Sequence, residues 1–232
     1  MYDIITLIVE DHDNFIHILA DRKRNEAFVV DPAWDAEGIR EVLAEENLTL
    51  TGILITHSHH DHVNAVPELY GERVSLFISE DEYPHWPDCP EDAILLSDGD
   101  AITFADTDIG VIKTPGHTPG SCCYRIGGDL ITGDTLFIYG CGRADLSGSD
   151  PHALYHSLQK LKALPPETRL HVGHHYGIAE TGTLGEQLAG NPFLMIEDEA
   201  DFVRYRMELA GKTRHTPYGP ISRAELDAVL HG

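Results

Sequence analysis

The sequence predicts an α/β (α+β) protein built as a four-layer αββα sandwich with a short C-terminal helical tail. Two observations carry that expectation. An all-β opening gives way to helix, and a second stretch between residues 101 and 133, almost wholly β, does the same. Two sheets, each apolar on both faces, bury one face against the other and take helices on the outside. There is no internal repeat, low-complexity tract or clear linker, so residues 1–190 are expected to form one domain and 191–232 a helical extension packed on it.

Taken in order, Ile4–Val9, Asn14–Ala20 and Ala27–Val30 are apolar, β-branched runs separated by polar turns such as Asp21-Arg22-Lys23-Arg24-Asn25, and read as strands. From Asp35 to Glu46 the apolar residues Ile39, Val42 and Leu43 recur at helical spacing. Gly52–Thr56 reads as a short buried strand, Val63–Tyr70 as a helix and Val74–Ile78 as a strand. The second block supplies Ala101–Phe104, Ile109–Thr114, Ser121–Ile126 and Asp129–Thr132, with Gly127-Gly128 as a two-residue hairpin turn. A Gly-rich loop runs from Tyr139 to Ser149. Pro151 then opens a helix to about Leu161, with Asp150 as N-cap. Arg169–Val172 is a strand, and Glu197–Leu209 and Ser222–Leu230 are helices, the last with a Ser222/Glu225 capping box.

Composition narrows the function. Hydrophobic residues make up 42% and charged residues 24%, an ordinary globular mix. No apolar run approaches the ~20 residues that span a bilayer. The opening MYDIITLIVEDHDN has no basic leader and no small-residue cleavage site, so a cytoplasmic address and no membrane partner are expected. Cys89, Cys122, Cys123 and Cys141 form no C-x-x-C pair and read as free thiols of a reducing compartment. With 39 acidic residues against 16 Lys and Arg, the net charge of −23 repels a phosphate backbone, which argues against nucleic acid. An anionic small-molecule substrate would need positive charge supplied locally, by metal or by a few placed Arg and Lys. The helical tail could form a homo-oligomer contact.

The most informative stretch is Thr56-His57-Ser58-His59-His60-Asp61-His62, four imidazoles and a carboxylate in six residues directly after an apolar strand. Packing five titratable groups together is costly without a cation among them, and this donor set suits zinc, iron or manganese. Three further islands, Gly116-His117-Thr118, Gly133-Asp134-Thr135 and Gly173-His174-His175, also follow strands, each beside a glycine that permits close backbone approach. Spacing alone does not choose between His174 and His175, and His60 has no assigned role. The remaining histidines (12, 17, 85, 152, 156, 171, 215 and 231) read as surface or packing residues.

The ordered set H-x-H-x-D-H, G-H-T, G-D, G-H, over residues 14 to about 178, resembles the metallo-β-lactamase superfamily. The resemblance implies two divalent ions, zinc first, with iron or manganese possible. His57, His59 and His117 would hold one, and Asp61, His62 and His174 the other. Asp134 would bridge them together with a water or hydroxide. Asp61 and Asp134 are then the catalytic carboxylates as ligands, and Asp61 carries no separate base role. Such a pair makes a nucleophile from water near pH 7 and polarises a carbonyl, so acyl-bond hydrolysis is the implied chemistry.

Within the superfamily, T-G-D-T-L-F-x-x-G-C-G-R from Thr132 to Arg143 resembles glyoxalase II, the hydroxyacylglutathione hydrolases. So do Asp13-Asn14-Phe15, Val30-Asp31-Pro32 and Gly173-His174-His175-Tyr176. This implies a glutathione thioester as substrate, bound in part by Arg143 and Tyr176. Alternatively, Arg143 pairs with Asp145 and only fixes its loop. The larger glyoxalase II enzymes continue into a helical C-terminal domain carrying further basic glutathione contacts, whereas 55 residues follow Gly177 here, and their basic patch Lys212-Thr213-Arg214-His215 matches it poorly. Gly140 to Leu146 also resembles the persulfide dioxygenases, in which His59, His117 and Asp134 would hold a single iron. A lactonase, a broader thioesterase or a non-catalytic metal protein complete the alternatives.

Overall fold

The computed structural model describes residues 1–9 and 13–232, so His12 lies outside it. The first six-stranded sheet runs β1 (Tyr2–Val9), β2 (Asn14–Asp21), β3 (Glu26–Val30), β4 (Thr49–Leu54), β5 (Ser75–Ser79), β6 (Ile94–Leu96), antiparallel up to β3 and parallel beyond it. The second is ordered β14 (Thr181–Thr183), β13 (Arg169–Val172), β10 (Asp129–Gly133), β9 (Cys122–Ile126), β8 (Thr107–Lys113), β7 (Ala101–Phe104), with β10 and β13 parallel and the rest antiparallel.

Alternation along the strands sends side chains to two cores apiece. Leu19, Phe28, Val30 and Leu54 meet Ile109, Val111, Tyr124 and Ile131 between the sheets. On the far side of the first sheet, Ile16, Ile18 and Ile53 pack under α1 (Ala36–Glu45) and the short α2 (His60–Val63) and α3 (Val66–Leu69). On the far side of the second, Cys123, Leu130 and Leu170 pack under α4 (Pro151–Lys162), α5 (Leu184–Gly190), α6 (Pro192–Met195), α7 (Glu199–Arg204) and α9 (Arg223–His231). The result is the αββα sandwich. Asp150 caps α4 and Ser222/Glu225 box α9, as their sequences require. Gly127 takes φ +53° in the hairpin between β9 and β10.

Where sequence and structure differ, the causes are local. The expected helix over Val63–Tyr70 is broken into α2 and α3, since Pro67 in the first turn of α3 has no N–H to continue the earlier ladder. The expected helix over Glu197–Leu209 starts after Asp198, which caps it, and widens into a π turn at Tyr205–Leu209 before α8 (Ala210–Thr213). The Tyr139–Ser149 loop begins with an unexpected strand, β12 (Gly140–Cys141), paired with β11 (Leu136–Phe137). Strands of two or three residues, such as these, β6 and β14, are too short to show periodicity. The four cysteines are free thiols. No helix among the described residues is long and apolar enough to cross a membrane.

His17 ties the two sheets together. Its Nε2–H donates to the Val172 carbonyl across the sandwich at 2.9 Å, and its Nδ1 lies 3.1 Å from the Thr6 hydroxyl. Burial, reinforced by neighbouring His171, pushes its pKa down to about 3. A folded-state value below the unfolded one means stability is intact above about pH 6.5 and is lost as pH falls from there toward 3. Between pH 7 and 4.5 this group should contribute a loss of roughly 2–3 kcal/mol. Urea unfolding at both pH values should show a smaller loss for His17→Gln than for the unmodified protein. Equal losses would contradict the assignment.

Candidate metal centre

Four loops at one edge of the sandwich carry the potential ligands, and the structure brings them together. The donor atoms of His57, His59 and His117 lie within 4.8 Å of one another, as do those of Asp61, His62 and His174. Asp134 stands between the two sets: Oδ2 is 3.5 Å from His117 Nε2, while Oδ1 is 3.4 Å from His62 Nε2 and 3.5 Å from His174 Nε2. His62 Nε2 and His174 Nε2 are 3.2 Å apart, and His59 Nδ1 and His117 Nε2 2.9 Å. Nitrogens about 2.1 Å from a tetrahedral ion sit roughly 3.4 Å apart, so these separations are of the size a cation sets.

The choice within the Gly173 island is clear: the His174 imidazole enters the cluster, while the His175 ring packs 5.2 Å from Phe15. His60 is exposed beside Trp34. Glycine does the work expected of it. A Cβ on Gly173 would stand 2.6 Å from Asp134 Oδ1, and Gly133, at φ +47°, leaves space that a Cβ would fill 2.3 Å from Thr56 Oγ1.

The far side of the rings fixes which nitrogen faces inward. His117 Nδ1 lies 2.9 Å from the Arg143 carbonyl, which can only accept, so Nδ1 carries the proton and Nε2 presents its lone pair. His62 Nδ1 meets Asp31 Oδ2 at 3.0 Å. The Thr56 hydroxyl donates to Asp31 Oδ2 at 2.6 Å, which leaves its oxygen to accept from His57 Nδ1 at 3.1 Å. His57 Nε2 and Asp134 Oδ1 are buried with no hydrogen-bond partner among the described residues. Such inward-facing lone pairs fit a metal ion and fit little else.

Charge agrees with geometry. Burial disfavours a charged His62, yet the carboxylates of Asp134, Asp31 and Asp61 outweigh it and raise its pKa to about 9. Burial and then the surrounding imidazoles push His57 far down, keeping it a neutral donor. Against burial, His174 and His62 hold Asp61 below the usual carboxylate range. The cluster therefore calls for positive charge at its centre.

Three supporting groups had no role assigned from sequence. Asp31 holds Thr56 and His62 from a backbone at φ +50°. Glu82, fully buried, accepts from Ser58 N and Oγ with one oxygen, and from Thr118 Oγ1 and Gly120 N with the other, clamping two ligand loops together. Asn14 donates to the Asp61 carbonyl at 2.9 Å and accepts from the Trp34 indole. Only the D-N-F and V-D-P runs hinted at two of them. Glu82 stands in no motif.

A cavity of about 360 Å³ opens over the cluster, lined on its floor by His59, Asp61, His117, Asp134 and His174. Phe137, Cys141, Arg143, Tyr176, Arg206, Thr216 and Tyr218 are among its walls. The Tyr176 ring stacks parallel on His174 at 4.7 Å. The Arg143 fork grips Asp145 at 2.9 and 3.0 Å, so the loop-fixing pair exists and the arginine lines the cavity as well.

A two-sheet sandwich with paired His/Asp triads at one edge defines the class, and the chain belongs to the metallo-beta-lactamase superfamily, whose match spans residues 18–174. Among its relatives, "Probable polyketide biosynthesis zinc-dependent hydrolase BaeB" of Bacillus velezensis is 36% identical over 195 residues, covering 83% of this chain and 87% of that protein. A hydroxyacylglutathione hydrolase of Pseudoalteromonas translucida is 38% identical over 164 residues, covering 71% of this chain but 62% of its own length. The crystal structure of ETHE1 from Myxococcus xanthus superposes with a TM-score of 0.79 at 26% identity, covering 98% and 96% of the two chains.

Proposed function

We propose that this protein hydrolyses a glutathione thioester at a two-metal centre, in a reducing, cytoplasmic setting. The observation that carries the reading is the pair of complete triads sharing Asp134. His57, His59 and His117 would hold one ion, and Asp61, His62 and His174 the other, with Asp134 between. Divalent cations there would supply the acidity that ionises water near pH 7 and polarises the acyl carbonyl. Asp31, Thr56 and the Arg143 carbonyl keep the ring tautomers set for this. Residues 1–190 form the catalytic unit in this reading, and 191–232 an extension that completes its cavity.

Tyr176, stacked on His174, and Arg143 are the proposed thiol-side contacts. The Arg143–Asp145 pair is about half exposed on both sides, at 60% and 46%. Such a pair contributes only about 0–1 kcal/mol, so a substrate carboxylate can replace Asp145 at small cost. The hydroxyacylglutathione hydrolase relatives support this substrate class, and the polyketide-biosynthesis hydrolase supports hydrolysis as the reaction.

A second reading, oxidation of glutathione persulfide at one iron held by His59, His117 and Asp134, draws on the Gly140–Leu146 run and the ETHE1 likeness. The intact Asp61/His62/His174 set favours the first. Metal analysis of protein purified without added metal, paired with oxygen-uptake and S-lactoylglutathione assays, separates the two. About two ions per chain with thioester turnover is expected. A single iron with oxygen consumption on the persulfide would overturn the hydrolase reading.

A further inference from the structure

Outside the buried centre, one other group of metal-ligating side chains is drawn together, on the outer helical layer. His152 and His156 lie four residues apart on α4 and are, among the described residues, the only two histidines so spaced on one helix. That spacing puts both imidazoles on one face, a turn apart, as in helical zinc sites. Opposite them stands Glu199, the first residue of α7. One carboxylate oxygen serves both rings: Oε1 lies 2.8 Å from His152 Nδ1 and 3.5 Å from His156 Nε2.

An ordinary ion pair accounts for the first of these contacts and not for the second, since 3.5 Å is long for a hydrogen bond. Two imidazoles and a carboxylate are the donor set of a zinc site that keeps an open position, and imidazole suits copper and nickel as well. The rings flank the oxygen and must swing together to reach the roughly 3.4 Å that separates nitrogens on one tetrahedral ion. Side-chain exposures of 61% for His152, 67% for His156 and 37% for Glu199 leave room for that movement. The surroundings are acidic. Burial, and then the carboxylates of Glu199, Asp198 and Glu197, push up the phenol of Tyr155, whose ring lies 5.3 Å from that of His156. A cation held by the three side chains would sit in that negative field.

We propose that His152, His156 and Glu199 form a peripheral site for a divalent zinc-like cation that pins α7 to α4. The pin matters because of what the two helices carry. The α4 segment is bonded to the loop that presents His117: Asp150 N–H donates to the Gly116 carbonyl at 2.8 Å, and Ser157 Oγ to the Pro115 carbonyl at 2.7 Å. Helix α7 runs into the π turn that carries Arg206 to the cavity wall. An ion on these three side chains therefore ties the support of one ligand loop to the C-terminal part of the wall. None of this depends on which reaction the buried centre performs.

Zinc titration of the full-length protein, by calorimetry and by dialysis with elemental analysis, tests the site. The unmodified protein is expected to take up about one zinc ion per chain more than His152→Gln, His156→Gln or Glu199→Gln. Zinc entering the buried centre is common to all four proteins and cancels in the comparison. At zinc concentrations about 100 times the dissociation constant, the thermal midpoint of the unmodified protein should rise by about 5–10 °C more than those of the variants. Without added zinc the four midpoints should coincide, because an exposed His–Glu pair adds little stability. Equal zinc uptake by the unmodified protein and either histidine variant would leave only a surface ion pair and overturn the site. Uptake lost in the histidine variants but kept in Glu199→Gln would confine the ion to α4 and overturn the pin, as would uptake with no extra rise in the midpoint.

Discussion

Asp134→Ala is expected to lower kcat/KM for S-lactoylglutathione by about a thousandfold, beyond the 10–100-fold typical of losing a residue that merely supports a ligand. The carboxylate is mostly buried, with each oxygen turned to a different triad, so its removal unties both. Metal content should fall with activity, and elemental analysis beside the rate measurement reads the two together. Asp134→Asn keeps the shape but exchanges one acceptor oxygen for an amide, and should still fail. A variant with normal turnover would contradict the shared-carboxylate arrangement.

The second large effect is expected at Asp31, which is not among the residues lining the cavity. Its oxygens accept from Thr56 N at 2.7 Å, Thr56 Oγ1 at 2.6 Å and His62 Nδ1 at 3.0 Å, orienting one ligand directly and His57 through the threonine. Asparagine tolerates the φ +50° backbone here, so Asp31→Asn tests the side chain rather than the fold. The amide has one acceptor where two are used, and it removes a negative charge beside the candidate metal centre. Metal affinity, measured by competition with a chelator, should fall about 10–100-fold. An unchanged chelator midpoint would show that the two rings hold their orientation without it.

Much of this arrangement could be read from the chain. The donor residues were visible because metal chemistry restricts their type, and because each follows a strand whose apolar run marks where it ends. His57 to His62 is the clearest case. The long strands and the capped helices α4 and α9 were legible for a similar reason, as periodicity and capping act over neighbouring residues. What was hidden depends on contacts between distant segments. Glu82 is an ordinary acid in sequence and becomes a clamp only once Ser58 and Gly120 fold against it. Arg206 lies in a stretch that reads as plain amphipathic helix, and its π turn has no local signature. The strands β11 and β12, two residues each, exist only because they find one another.

Every donor atom of the cluster comes from loops before residue 175, whereas Arg206, Thr216 and Tyr218, which line the same cavity, follow residue 200. The later stretch thus contributes part of the cavity wall, while Phe137, Cys141 and Arg143 contribute another part from among the ligand loops. Exchanging the last few dozen codons would reshape the later part of the wall while leaving each candidate ligand loop in place.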